Sequence, residues 1–245
     1  VGFEEMDVAI KLEEERDAVY HNLNKKITKY NTDIHNTQNQ VQDFFNDKGF
    51  ALMHQPDHFL LAESLTHYRE ELGKRPPIAS MELLWTAHQG EHIIISGFVH
   101  PPTEERAWKS LKIIGEKDLI SIKGLEGGTD LPISRACITG RGHKKQFNRL
   151  ILHPRDYQCS GKEVEWNSLS IWRNHALEAL ENKGPLRKTL LWNAGAYLWF
   201  SGITNSLEEG LKKVEICLNS GAAKKILEQL IARQNNTQKS QLNEI

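Results

Sequence analysis

At 245 residues the chain is long enough to bury a sizeable core, as one large domain or two smaller ones. Lys+Arg 31 against Asp+Glu 32 give a net charge of −1, so there is no electrostatic footprint for nucleic acid. Mean hydropathy is −0.53 and no apolar run reaches the ~18–20 residues that cross a bilayer, which points away from a membrane protein. Val1 to Arg16 is acidic and mixed, unlike a secretory signal. The three cysteines, Cys137, Cys159 and Cys217, are odd in number and lack C-x-x-C spacing, which suits free thiols in a cytoplasmic protein.

From Phe3 to Lys48 the chain has no Gly or Pro. Val8, Leu12, Val19, Leu23, Ile27, Tyr30 and Ile34 recur mostly at steps of four, three or seven, which predicts one face of a long helix. The stripe is thin, suits half of a coiled coil and leaves a homodimer open. Asn31 to Thr37 reads as a break, with Asn36 or Thr37 capping a second helix to about Asp47. A boundary near residue 35 therefore separates a helical extension, 1–35, from an α/β domain, 36–233, and residues 234–245 read as a polar, fraying tail.

Gly49 to Met53 reads as a short strand that delivers His54, Asp57 and His58 to a loop. Phe59 to Leu72 is helical in pattern, carries Arg69 and stops at Gly73; a shorter helix is expected over Ser80 to Ala87. His88-Gln-Gly-Glu-His92 matches an inverted zinc-protease motif as text. That motif needs both histidines one turn apart on a helix, and Gly90 followed at once by Ile93-Ile-Ile95 predicts a polar turn instead. Ile93 to Val99 is apolar on both faces, as buried parallel strands are. Thr103 is the expected N-cap of a helix ending at Ile114-Gly115, and Leu119 to Ile122 is a second buried strand. Strand, helix and strand at this spacing form a right-handed βαβ unit.

The second strand runs into Gly124, Gly127 and Gly128, with Glu126 and Asp130 among them. Glycines permit φ > 0 and expose backbone N–H groups, and carboxylates are hard oxygen donors. Open α/β sheets bind ligands at such carboxyl ends, and a plain acidic turn between strands is the competing reading. Arg135 to Thr139 and Phe147 to Leu152 follow as two strands of a hairpin, joined by the basic tip Gly140 to Lys145. Helices are expected over Ser168–Glu181, Pro185–Phe200, Ser206–Leu218 and Gly221–Arg233, with Pro185 as a first helical residue and Tyr197 in the core. The fold class is α/β, a partly parallel sheet flanked by helices, with a long N-terminal helix.

Asn193-Ala-Gly-Ala-Tyr-Leu-Trp-Phe-Ser-Gly202, followed by Ser206-Leu-Glu-Glu-Gly-Leu211 and Ser220-Gly-Ala-Ala223, resembles the ending of the anthranilate phosphoribosyltransferase family. Gly49 to Met53, His58, Tyr68 to Arg75, Val99-His-Pro101 and residues 118–131 extend the resemblance over roughly 37–233. His153 to Tyr157 with Gly161 to Val164 is similar to a divergent, cyanobacterial-type branch. The resemblance implies a nucleoside phosphorylase/phosphoribosyltransferase-like domain. It also implies pentosyl transfer from phosphoribosyl pyrophosphate to an aromatic acid, with Arg69 and His58 binding substrate and Asp130 and Glu126 holding Mg²⁺.

Two departures qualify it. The family's Gly-Thr-Gly-Gly-Asp loop, which cradles pyrophosphate, does not occur in these 245 residues, and the family's adjacent Asp-Glu pair stands here as Thr129-Asp130. With a start at Val1, the expectation is the C-terminal part of the α/β domain, inactive alone because the phosphate loop is missing. The alternative is a non-catalytic interaction or regulatory module on a retired phosphoribosyltransferase core.

Overall fold

The structure, a computed structural model, describes residues 38–51, 60–73, 82–86, 88, 90–143 and 146–242. The helix expected over Phe3 to Ile34 lies outside the described residues. The chain divides into two compact units, 1–73 with 225–245, and 74–224.

In the first unit, helix α1 spans Gln38–Lys48 and ends where Gly49, at φ 67, donates its N–H to the Phe45 carbonyl at 2.8 Å. Residues 49–51, the described part of the strand expected there, are irregular. The helix expected over 59–72 is divided into α2, Leu60–Glu63, and α3, Thr66–Leu72, with Ser64 and Leu65 as a turn between them. Serine competes for backbone hydrogen bonds and so weakens a helix interior. Gly73, left-handed at φ 58, terminates α3 as its sequence position predicts.

The second unit holds a four-stranded sheet in the order β1-β2-β3-β4: β1 Ile94–Gly97, β2 Asp118–Ile122, β3 Cys137–His143 and β4 Gln146–Leu152. β1 and β2 are parallel, Ile94 opposite Leu119 and Gly97 opposite Ile122, with helix α4, Pro101–Ile114, as the crossover. The β2/β3 and β3/β4 pairs are antiparallel. Thr103 does not cap α4. Pro101 and Pro102 pre-set the first turn, His100 stands extended as the N-cap, and its carbonyl accepts from the Thr103 N–H at 2.9 Å.

Gly140 and Gly142, expected in the hairpin turn, instead lie within β3. A Cβ on Gly142 would fall 2.0 Å from the Trp108 ring, and one on Gly140 would fall 2.3 Å from the Phe147 ring. These glycines therefore serve close packing under an aromatic pair rather than a turn. The Ser80–Ala87 helix is reduced, where described, to a 3-10 turn at Glu82–Leu84. The described residues of His88 to His92 are non-helical, so the two imidazoles do not stand one turn apart on a helix. His92 Nε2 lies 2.9 Å from the Glu116 carboxylate but out of line for a hydrogen bond.

Helices α5 Leu169–Leu180, α6 Arg187–Phe200, α7 Leu207–Asn219 and α8 Ala222–Leu242 follow. Ser168 and Ser206 cap α5 and α7, accepting from the N–H groups of Ile171 and Glu209. Pro185 lies in the turn ahead of α6 rather than inside it. The larger core joins Ile120, Ile122, Leu131 and Cys137 to Trp192, Phe200 and Val214 of α6 and α7; a smaller one joins Ile94, Leu111 and Leu119. Each fully buried large apolar side chain contributes ~1.5–3 kcal/mol. One carboxylate is buried as deeply: Glu104 of α4 accepts from Ser121 of β2 at 2.5 Å and is ion-paired with Arg149 of β4.

Candidate functional site: the acidic turn at the carboxyl end of the parallel pair

β2 ends at Ile122, and its register with β1 brings Gly97 alongside it, so both parallel strands end at one place. Phe98 N–H donates to the Ile122 carbonyl at 2.9 Å and Lys123 N–H to the Ile138 carbonyl at 2.9 Å, extending the ladder to the turn's first residue. Leu125–Gly127 makes a 3-10 turn, with the Gly128 N–H donating to Leu125 O at 2.8 Å. The turn folds back on its own strands at van der Waals limits. A Cβ on Gly97 would lie 1.8 Å from the Gly127 carbonyl oxygen, and one on Gly124 would lie 2.1 Å from that of Gly128. Gly127 is left-handed at φ 81, and so is Glu126 at φ 55, a conformation uncommon outside glycine.

Helix α6 holds the far side of the turn. Asn193 accepts from the Leu131 N–H at 2.7 Å and donates to the Leu131 and Thr189 carbonyls, both at 3.0 Å. Tyr197, one helical turn on, donates its hydroxyl to the Thr129 carbonyl at 2.5 Å. Its ring is half-buried rather than fully in the core, and the hydroxyl decides its role. Burial holds the phenol above its ordinary pKa, against the contrary pull of the Thr129 contact, and the Asp130 carboxylate adds to the rise. Between the two anchors, Gly195 lets α7 approach: a Cβ on Gly210 would meet the Gly195 carbonyl at 2.3 Å.

Glu126 and Asp130 share this turn, both exposed and neither ion-paired among the described residues. They do not make a cage, since no group of three His, Cys, Asp or Glu among the described residues could hold a metal ion. Their carboxylates are hard oxygen donors, the type of which Mg²⁺ takes one or two alongside its own waters and substrate phosphates. Arg69 lies on α3 in the first unit, and His58 lies outside the described residues. The sequence marks Asn193 and Tyr197 as turn-holding residues only through their four-residue spacing on one helix face.

The two buried thiols, Cys137 and Cys159, are not poised as nucleophiles. Burial pushes Cys137 up to about 11 and raises Cys159 as well, and the Cys137 sulfhydryl donates to the Pro132 carbonyl at 3.1 Å. All three cysteines are free. No helix among the described residues is long and apolar enough to cross a membrane.

Residues 25–224 match the model of the glycosyl transferase family, a/b domain, and the chain belongs to that family. Anthranilate phosphoribosyltransferase of Chromobacterium violaceum is 26% identical over 200 residues, covering 80% of this chain and 58% of the relative. That of Ralstonia pickettii is 26% identical over 199 residues, covering 80% and 57%. Within the family the chain therefore stands with the anthranilate phosphoribosyltransferases, as the resemblance implied, and spans less than three fifths of the length of these relatives. Among solved structures, the Saccharomyces cerevisiae enzyme in complex with PRPP and Mg superposes with a TM-score of 0.71 at 16% identity, covering 86% of this chain and 60% of the other. The Thermus thermophilus enzyme gives 0.63 at 20% identity, covering 79% and 58%. Both share the fold.

Proposed function

We propose that this chain is the carboxyl-terminal part of a phosphoribosyltransferase α/β domain whose reaction moves a phosphoribosyl group from phosphoribosyl pyrophosphate to an aromatic acid. The observation that carries the reading is the acidic turn, fixed at the carboxyl end of a parallel strand pair, with two exposed carboxylates that are not ion-paired among the described residues. The yeast relatives, in complex with PRPP and Mg or with 4-fluoroanthranilate, support the ligand class. In such a transfer the C1′–oxygen bond to pyrophosphate breaks as the bond to the acceptor forms, through a cation-like transition state. It demands positioning and charge neutralisation more than a nucleophile. A magnesium ion bound with the diphosphate would supply neutralising charge, and Asp130 and Glu126 would hold it.

The phosphate-cradling glycine loop is not in this sequence, so the isolated chain is expected to give no product from phosphoribosyl pyrophosphate and anthranilate. Turnover above a heat-killed control, lost in Asp130→Ala, would show that the chain is sufficient and the loop dispensable.

Arg69 tests the acceptor side. A guanidinium grips a carboxylate through two parallel hydrogen bonds that lysine cannot copy. An aromatic acid is expected to bind with a Kd of ~0.1–1 mM, and Arg69→Lys to weaken it by ~1.5–3 kcal/mol. Calorimetric titration reads both, and equal affinities would leave Arg69 without a role in acceptor binding.

A second reading, a non-catalytic module, is favoured by one detail. Where the family carries a second adjacent carboxylate, this chain has Thr129, whose carbonyl is already engaged by Tyr197. Absence of heat with both aromatic acids and Mg·pyrophosphate would select that reading.

A further inference from the structure

The acidic turn is not held by its own side chains. Thr129 and Leu131, on either side of Asp130, give their backbone groups to Tyr197 and Asn193 of α6. Both contacts are to main chain, so they set where the Asp130 backbone stands without consuming its carboxylate. Asn193 is 8% exposed and makes three hydrogen bonds, two of them to Leu131, so the peptide groups on both sides of the Leu131 Cα are held. The helix behind them is itself located by the Gly195–Gly210 contact with α7, which leaves no room for a Cβ at either position. On the strand side the same turn is stopped by Gly97 and Gly124. A glycine-rich turn that closed only on a ligand would lose ~1–2 kcal/mol of backbone freedom per residue at that moment. A turn fixed in advance avoids that cost.

We infer that Tyr197 and Asn193 are positioning residues, which hold the turn so that the exposed Asp130 carboxylate is pre-set for a magnesium-bound diphosphate. The inference rests on the function proposed above and adds residues that touch neither ligand nor metal. Tyr197 is the sharper test, because phenylalanine keeps the ring and removes only the hydroxyl.

The probe is Mg²⁺ with inorganic pyrophosphate, titrated into the full chain. Tyr197→Phe is expected to weaken binding ~5–10-fold, the scale of one lost hydrogen bond. In an Asp130→Ala background the same substitution should cause no further loss, because its effect runs through Asp130; a merely structural role would not vanish there. Equal affinities, or a loss that persists without the Asp130 carboxylate, would overturn the inference. Asn193→Asp keeps the acceptor for the Leu131 N–H, removes both donors and should move binding in the same direction. If the wild-type chain gives no heat with the probe, the diphosphate assignment falls, and hydrogen exchange then decides the positioning role. Faster exchange confined to amides 124–131 in Tyr197→Phe, with α6 unchanged, would support it. Unchanged exchange would overturn it.

Discussion

Replacing Arg149 with methionine is expected to cost ~3–5 kcal/mol, although Arg149 is itself 43% exposed and an exposed ion pair is usually worth ~0–1 kcal/mol. The difference lies in the partner. Glu104 is buried completely beneath α4, and its carboxylate is satisfied by Ser121 on one oxygen and Arg149 on the other. Removing the guanidinium leaves a carboxyl group in the core with a hydroxyl as its only described partner, and that stranded polar group, not the lost contact, sets the magnitude. Glu104→Gln in the Arg149→Met background removes the charge and should recover more than half of the loss. Urea denaturation with an unchanged m-value reads both. A single-variant loss below ~1 kcal/mol would mean that water reaches Glu104.

That network also marks where the sequence stops being legible. Glu104 follows two prolines and Thr103 at the start of a helix, and an acidic residue there reads naturally as a partner for the positive helix end. Nothing local tells that the helix turns this side chain inward, because burial depends on Ser121 and Arg149, which are 17 and 45 residues away. The strand–helix–strand unit was legible because its evidence is local: apolar runs of strand length, a glycine stop at 115 and a crossover of the right size. The parallel register of Ile94 to Gly97 on Leu119 to Ile122 agrees with it.

Glycine was legible only in part. At Gly73 and Gly115, both left-handed, it ends helices as read. At Gly140 and Gly142 it reads as a turn but serves the approach of Trp108 and Phe147, and a sequence does not distinguish a glycine needed for φ from one needed for space. The acidic turn is legible in its carboxylates. What holds it, Asn193 and Tyr197, lies more than 60 residues on, inside a segment whose pattern carries family likeness rather than chemistry.

The same distinction yields the other large expected effect. Gly97→Ala should cost ~3 kcal/mol or more, at or beyond the upper end of ordinary overpacking, whereas Gly115→Ala should cost ~1 kcal/mol. Gly115 sits at φ 92 with nothing within 4 Å of a built Cβ, so its penalty is conformational alone. Gly97 has no positive φ, and its penalty is wholly steric: the added carbon would lie 1.8 Å from the Gly127 oxygen and 2.7 Å from that of Gly128. Both obstacles are main chain and cannot rotate away as a side-chain tip would. Either β1 leaves its register with β2 or the turn lifts from the strand ends. Lifting is the cheaper course, because the register carries Ile94 and its core neighbours. A lifted turn must also break with Tyr197 or Asn193, so the cost appears twice, in global stability and in exchange protection of residues 124–131. Thermal unfolding and hydrogen exchange on the two variants separate the cases. A Gly97→Ala protein within ~1 kcal/mol of wild type, with its turn still protected, would show that the backbone crossing is looser than these distances require.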